Sequence, residues 1–128
     1  MGGCPFCSID RDLLAEAPLV VAFEDAYPVS PGHTLIIPRR HVETYFDCTD
    51  DEKAALWALV ERVRGLLVAQ HHPDGFNVGF NAGVASGQTV MHAHIHVIPR
   101  YAGDVADPRG GVRHAVVGRG YYDPKPKS

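Results

Sequence analysis

Between His92 and His96 the chain places an imidazole at every second position, His92-Ala93-His94-Ile95-His96, and runs straight on into Val97-Ile98-Pro99-Arg100. A period of two belongs to an extended strand, whose successive side chains alternate between faces. The run therefore predicts a strand with three imidazoles projecting from one face. Ala93, Ile95 and Val97 turn to the other, where small and β-branched side chains pack well. A solvent-facing stripe is ordinarily filled by Lys, Thr or Glu, and packing gives no reason for three histidines in a row. Each imidazole, however, can donate, accept, ligate or attack near neutral pH. The patch reads as a reaction site.

The segment leading into it supports that reading. Gly83-Val84-Ala85-Ser86-Gly87-Gln88-Thr89 is small, polar and glycine-rich. Backbone N–H groups of such a loop can approach an anion closely, and Gln88 and Thr89 add side-chain donors. Alone, a loop of this kind is most often a plain turn. Together with the histidine strand, the stretch from Gly87 to Arg100 closely resembles the signature of the histidine triad (HIT) superfamily of nucleotide hydrolases and transferases. The family alternates three histidines with apolar residues, and the small Ala93 is this chain's departure from that pattern. The resemblance extends back through Phe23-Glu24-Asp25 and through Pro31-Gly32-His33-Thr34-Leu35-Ile36-Ile37-Pro38-Arg39-Arg40-His41, covering about residues 4 to 105.

The remaining pattern predicts an α+β domain over residues 1–117, an antiparallel sheet with one long and one short helix. Residues 118–128 are expected to form a mobile tail. Asp10 to Ala17 reads as the short helix, closed by Pro18. Leu19–Phe23 and His33–Ile37 read as two strands of a wide hairpin. Thr49 with Glu52 three residues on forms a capping box. The helix it opens carries Leu56, Leu59, Val60, Val63, Leu66 and Leu67 on one face and runs to about Gln70. Gly75–Asn81 alternates as a strand with Phe76, Val78 and Phe80 on one side, and His114–Val117 reads as an added edge strand. His71 and His72 end the long helix, where its partial negative charge favours them.

Composition excludes several function classes. With 45% hydrophobic and 21% charged residues in 128, the chain suits one globular domain without disulfides. A net charge of −3 without a basic run argues against a nucleic-acid groove, so an anionic ligand must be held by local donors. No apolar run approaches a membrane span, and the three residues before Cys4 carry no charged or hydrophobic leader. The expected location is the cytoplasm.

Cys4-Pro5-Phe6-Cys7 is spaced so that two thiolates could grip one metal ion, and an unmetallated pair is the alternative. A closed zinc site needs two further ligands, which spacing alone does not identify. The resemblance supplies them: in the C-x-x-C branch of the superfamily they are a histidine after the Pro-Arg-Arg segment, here His41, and the first triad histidine, His92. The implied cofactor is structural Zn2+ on Cys4, Cys7, His41 and His92. Cys48, near a helix start, reads as a small buried residue.

The resemblance also implies a mechanism. His94 attacks the α-phosphorus of a nucleotide, its far nitrogen anchored by the His92 carbonyl, and water then releases the mononucleotide. His96 bonds phosphate oxygens and assists proton transfer. Histidine at this third position points to hydrolysis, because related transferases carry glutamine there. His33 is the fourth histidine of the pocket, Gln88 and Thr89 the phosphate-binding pair, Asn81 a phosphate or ribose contact, and Asp25 the acceptor of both ribose hydroxyls. Without the resemblance, His33 reads as structural and Asp25 as a turn former. Phe6, Ile9 and Phe23 are expected to wall a purine base. Arg100-Tyr101-Ala102-Gly103-Asp104 is similar to the fragile-histidine-triad branch, which implies a dinucleoside polyphosphate such as Ap4A. An adenosine 5′-phosphoramidase and a non-catalytic, zinc-stabilised nucleotide-binding module are the alternatives. The family forms homodimers.

Overall fold

The computed structural model describes residues 3–122. Five strands form one antiparallel sheet: β1 (Ala15–Glu16), β2 (Val20–Glu24), β3 (Thr34–Pro38), β4 (Gly75–Gly79) and β5 (Ile95–Arg100), in the order β1-β2-β3-β5-β4. The wide hairpin forms as its sequence predicts, with Val21 opposite Ile37 and Phe23 opposite Leu35. β5 then inserts between β3 and β4, setting His96 opposite Leu35 on one side and Gly79 on the other. Among the described residues no helix is long and apolar enough to cross a membrane.

A single α-helix, α1 (Asp50–His71), crosses one face of the sheet. Its face of Leu56, Leu59, Val60, Val63 and Leu67 is buried against Val20, Ala22, Ile36, Ala93, Ile95 and Val97. This is the main core. The opposite face carries a smaller cluster, Val21, Phe23, Leu35 and Ile37, covered by Phe6 and Ile9 from the N-terminal segment. The alternation of β5 thus sorts the chain into a structural face and a histidine face.

Both ends of α1 follow from its sequence. The Thr49 hydroxyl accepts from Glu52 N at 3.1 Å, and the Glu52 carboxylate accepts from Thr49 N at 2.8 Å. His72 closes the helix in the left-handed region at φ 52, its N–H donating to the Val68 carbonyl.

Three expectations need correction. Asp10–Ala17 forms no helix; it runs extended and ends in β1. Leu14 N donates to Ala22 O at 2.8 Å and Ala17 N to Val20 O at 2.9 Å. An eight-residue helix before a proline gains little by itself, whereas the edge of β2 satisfies the same backbone groups and buries Ala15. His114–Val117 adds no strand. A 3-10 turn (Gly111–Ala115) follows Gly110 at φ 95, and His114 Nε2 donates locally to Arg109 O. The triad strand begins at Ile95, so His92 and His94 precede the paired ladder, held by Ala93 N donating to Val42 O. Of the residues read as a tail, Tyr121 Oη donates to Asp107 O and Arg113 Nε to Gly120 O; residues 123–128 lie outside the described ones.

Glu52 is only 4% exposed and accepts from Arg40 Nε and Nη2 as well as from its cap. The Arg40 hydrogen bonds hold its carboxyl below the ordinary carboxylate range. Its contribution is therefore complete above that range and lost as pH falls through the lowered folded value. Glu52→Ala is expected to cost roughly 1–2 kcal/mol near neutral pH, and the difference from wild type should shrink in acid denaturation series.

Candidate functional site

The three histidines of the run serve two sites. His92 turns its Nδ1 toward the N-terminal loop, 3.5 Å from Cys4 Sγ and 3.7 Å from Cys7 Sγ, while His41 Nδ1 stands 3.1 Å from Cys7 Sγ. One donor atom from each of Cys4, Cys7, His41 and His92 lies within 4.8 Å of all the others. A tetrahedral ion with bonds of about 2.0–2.3 Å sets its ligands about 3.3–3.8 Å apart. The donor set therefore fits a metal ion. The other nitrogen of His92, Nε2, lies 2.8 Å from the Pro38 carbonyl and must donate to it, which leaves Nδ1 unprotonated toward the sulfurs. Cys4 beside it pushes the Cys7 thiol up, the sign expected where two sulfurs converge.

His94 and His96 open instead on a cavity of about 600 Å³, with His33, Asp25, Asn81 and Thr89 also on its walls. Hydrogen-bond partners assign the protons. His94 Nδ1 is 2.8 Å from the His92 carbonyl oxygen and donates to it, so Nε2 carries the lone pair. His33 Nδ1 accepts from Val29 N at 3.1 Å, so its proton is on Nε2, which donates to His96 Nδ1 at 2.9 Å. His96 in turn keeps its proton on Nε2. One imidazole thus offers a base and its neighbour a donor, with ring centroids 5.1 Å apart.

Burial favours the neutral forms of His96 and His33. It lowers the pKa of His96 to about 4, with further contributions from His94 and His33, and lowers that of His33 against the partial opposition of Asp25. Asp25 is 3.5 Å from His33 Nε2 and accepts from Tyr27 N through its other oxygen.

Gln88 does not join the cavity. It is 2% exposed, its Oε1 accepts from Gly83 N, and its Nε2 donates to Glu43 O and Val90 O. With its amide engaged by three backbone groups, it ties the Gly83–Thr89 loop to Glu43 and Val90 and has no free N–H for a phosphate. Ile9 lies under the small cluster rather than on the cavity wall. Phe6 does line the cavity, its ring edge-on to His94 at 5.2 Å and to Phe23 at 5.5 Å. Arg11, Tyr27, Val29 and Leu35 also line it, though the sequence did not mark them. Arg11 was hidden by the expected helix, and it covers the Phe23 ring at 5.4 Å while Nη1 donates to Glu24 O. The strand period would have placed Leu35 and Phe23 together, since they are cross-strand partners.

The HIT domain model matches residues 7–103, more than half of the chain. The chain belongs to the HIT family. It is 39% identical over 93 residues to AP-4-A phosphorylase of Mycobacterium tuberculosis, covering 72% of this chain and 48% of that protein. Over 100 residues it is 35% identical to the bifunctional bis(5′-adenosyl)-triphosphatase/adenylylsulfatase FHIT of Arabidopsis thaliana, covering 78% and 56%. It therefore spans about half the length of these curated relatives. A zinc-bound histidine triad family protein from Mycobacterium smegmatis superposes with a TM-score of 0.74 at 33% identity, over 82% of this chain and 80% of that one.

Two outcomes are expected. Elemental analysis should find about one metal ion per chain, and Cys4→Ser with Cys7→Ser should remove it and lower the melting temperature, because a closed four-ligand site contributes folding free energy. A metal-free wild type with unchanged melting would defeat the assignment. The second concerns pH. Because His96 has a folded pKa near 4, the unfolded chain binds more protons between that value and the ordinary histidine range. Stability should fall as pH drops through this window, and His96→Gln should flatten the slope.

Proposed function

We propose that this HIT protein is a nucleotide hydrolase that cleaves at the α-phosphorus of a dinucleoside polyphosphate such as Ap4A. The observation that carries the reading is the His94 tautomer: a buried imidazole whose Nδ1–H is committed to the His92 carbonyl faces the cavity with a free Nε2. That is the state a nitrogen nucleophile requires.

In the first step the Nε2 lone pair bonds to phosphorus as the bond to the leaving phosphate oxygen breaks. The imidazole becomes nucleotidylated on Nε2 and keeps its Nδ1 proton, and the His92 carbonyl stabilises the positive charge that develops on the ring. His96 Nε2–H donates to a phosphoryl or leaving-group oxygen. In the second step water attacks phosphorus as the N–P bond breaks; one water proton passes to solvent, the Nε2 lone pair of His94 is restored and the mononucleotide leaves. Thr89 and Asn81 stand on the wall as donors, and Asp25 accepts from the ribose. On this reading Cys4, Cys7, His41 and His92 would hold zinc in a structural role, and His92, held there, would keep in place the carbonyl that anchors the nucleophile. We extend the proposal to a cytoplasmic homodimer joined along the outer edge of β4, the last strand of the sheet.

The name of the mycobacterial relative favours one competing outcome, transfer to phosphate instead of water. Products separate the possibilities. Hydrolysis of Ap4A yields AMP and ATP; with inorganic phosphate as acceptor, phosphorolysis yields ADP and ATP. Turnover of adenosine phosphoramidate in preference to Ap4A would indicate the phosphoramidase instead. His94→Ala should retain nucleotide binding but less than about a hundredth of kcat, and quenched wild-type enzyme should carry acid-labile nucleotidyl-histidine. Absence of that adduct together with an active His94→Ala enzyme would sink the nucleophile assignment.

A further inference from the structure

Tyr101 and Ser30 stand outside the cavity and have no part in the reaction above. Both tie the β2–β3 loop to the chain at the end of β5, the strand that carries His96. Tyr101 Oη donates to Pro31 O at 2.6 Å, and Ser30 Oγ donates to Pro99 O at 2.7 Å. Gly32 turns the loop at φ 92, where an added Cβ would meet Pro99 Cγ at 3.1 Å, so the loop lies close against β5.

Held there, the loop presents one backbone group to the site, the Val29 N–H that donates to His33 Nδ1. That bond, the shorter of the two contacts that bias the His33 tautomer, bears on where two protons sit. With Nδ1 occupied as an acceptor, His33 keeps its hydrogen on Nε2 and gives it to His96 Nδ1. His96 therefore keeps its own hydrogen on Nε2 and meets a phosphate oxygen as a donor. If the Val29 amide withdraws, His33 is free to carry its proton on Nδ1. Its Nε2 then becomes an acceptor that is satisfied only if His96 moves its proton to Nδ1. His96 Nε2 would then present a lone pair toward the phosphate, turning an attraction into a repulsion.

We propose that Tyr101 and Ser30 are positioning residues: they form a two-point latch that holds the Val29 amide on His33 and so fixes His96 as a hydrogen-bond donor. The neighbours facing this pair are Asp25, 3.5 Å from His33 Nε2, and His94, whose proton is already committed to His92. Asp25, an acceptor on the Nε2 side, favours the same His33 tautomer but from 3.5 Å, so loss of the Val29 bond weakens the preference for Nε2–H and admits a fraction of the Nδ1–H form.

The test is the nitrogen-15 spectrum of the imidazoles in the intact protein, which distinguishes the two tautomers directly. Wild type should show His33 and His96 as Nε2–H forms. Tyr101→Phe and Ser30→Ala, singly and together, should introduce an Nδ1–H fraction at His33, largest in the double variant. In Ap4A turnover, an arm that rests on the proposed function, kcat should fall about three- to tenfold with little change in KM, the scale of one neutral hydrogen bond. Each single variant removes one hydroxyl and leaves the core untouched, so folding is not in question for both. Unchanged tautomers in the folded variants overturn the latch whatever the activity does. Shifted tautomers with unchanged kcat support the latch and remove instead the donor role given to His96.

Discussion

A histidine can act as a nucleophile only if one nitrogen is bare and the other is prevented from giving up its proton. In this protein the hydrogen bond from His94 Nδ1 to the His92 carbonyl meets that condition. It spans two residues of one extended segment, so it is local and needs no distant partner to be in register. Its accuracy depends on where the His92 peptide lies. That peptide is held from both sides: the His92 ring is wedged between the Pro38 carbonyl and the cysteine loop, and Ala93 N is fixed to Val42 O. The metal-ligand cluster and the reaction cavity are therefore one mechanical unit, joined through the backbone of a single residue.

The cysteine loop contributes to the cavity in a second way. Phe6 lies between its two thiols and packs edge-on against His92, His94 and Phe23. An aromatic edge against an imidazole restricts ring rotation through van der Waals contact as well as through its quadrupole. The same loop shields the small apolar cluster on the histidine face of the sheet, where no helix packs among the described residues. Residues 3–9 thus replace a second layer on that face. This accounts for the low exposure of His92 and His94, at 0% and 9%, which Phe6 covers.

What the sequence made legible was governed by locality. The long helix was readable to within a residue because its cap, its apolar period and its end are all written inside it. The β2–β3 hairpin was equally plain, and so was the alternation that separates Ile95 and Val97 from the histidines. The N-terminal segment was not, because Asp10–Ala17 contains helix-forming residues and only its contact with the edge of β2 decides otherwise. The division of the histidine run into two sites was likewise invisible to a period of two, which places side chains on a face but does not say what meets them there. Gln88 shows the limit most clearly. Its position beside a glycine loop suits a phosphate donor, but the structure spends all of its hydrogen bonds on three backbone groups, one of them 45 residues away.

The electrostatics of the cavity follow from its purpose. A polyphosphate would bind tightly to a cluster of imidazolium ions, and the three histidines on the cavity wall could have supplied it. Burial acts against this by holding His33 and His96 toward their neutral forms. The same proton that would attract the phosphate would occupy the nitrogen needed to attack it, so charge-based affinity and nucleophilicity are exclusive at His94. Tight ground-state binding would also gain nothing in kcat. On the proposed mechanism, rings with assigned tautomers avoid both penalties: they would bind the anion through directed N–H dipoles, leave one lone pair aimed into the cavity, and reserve the strongest interaction for the moment when His94 becomes cationic against the His92 carbonyl.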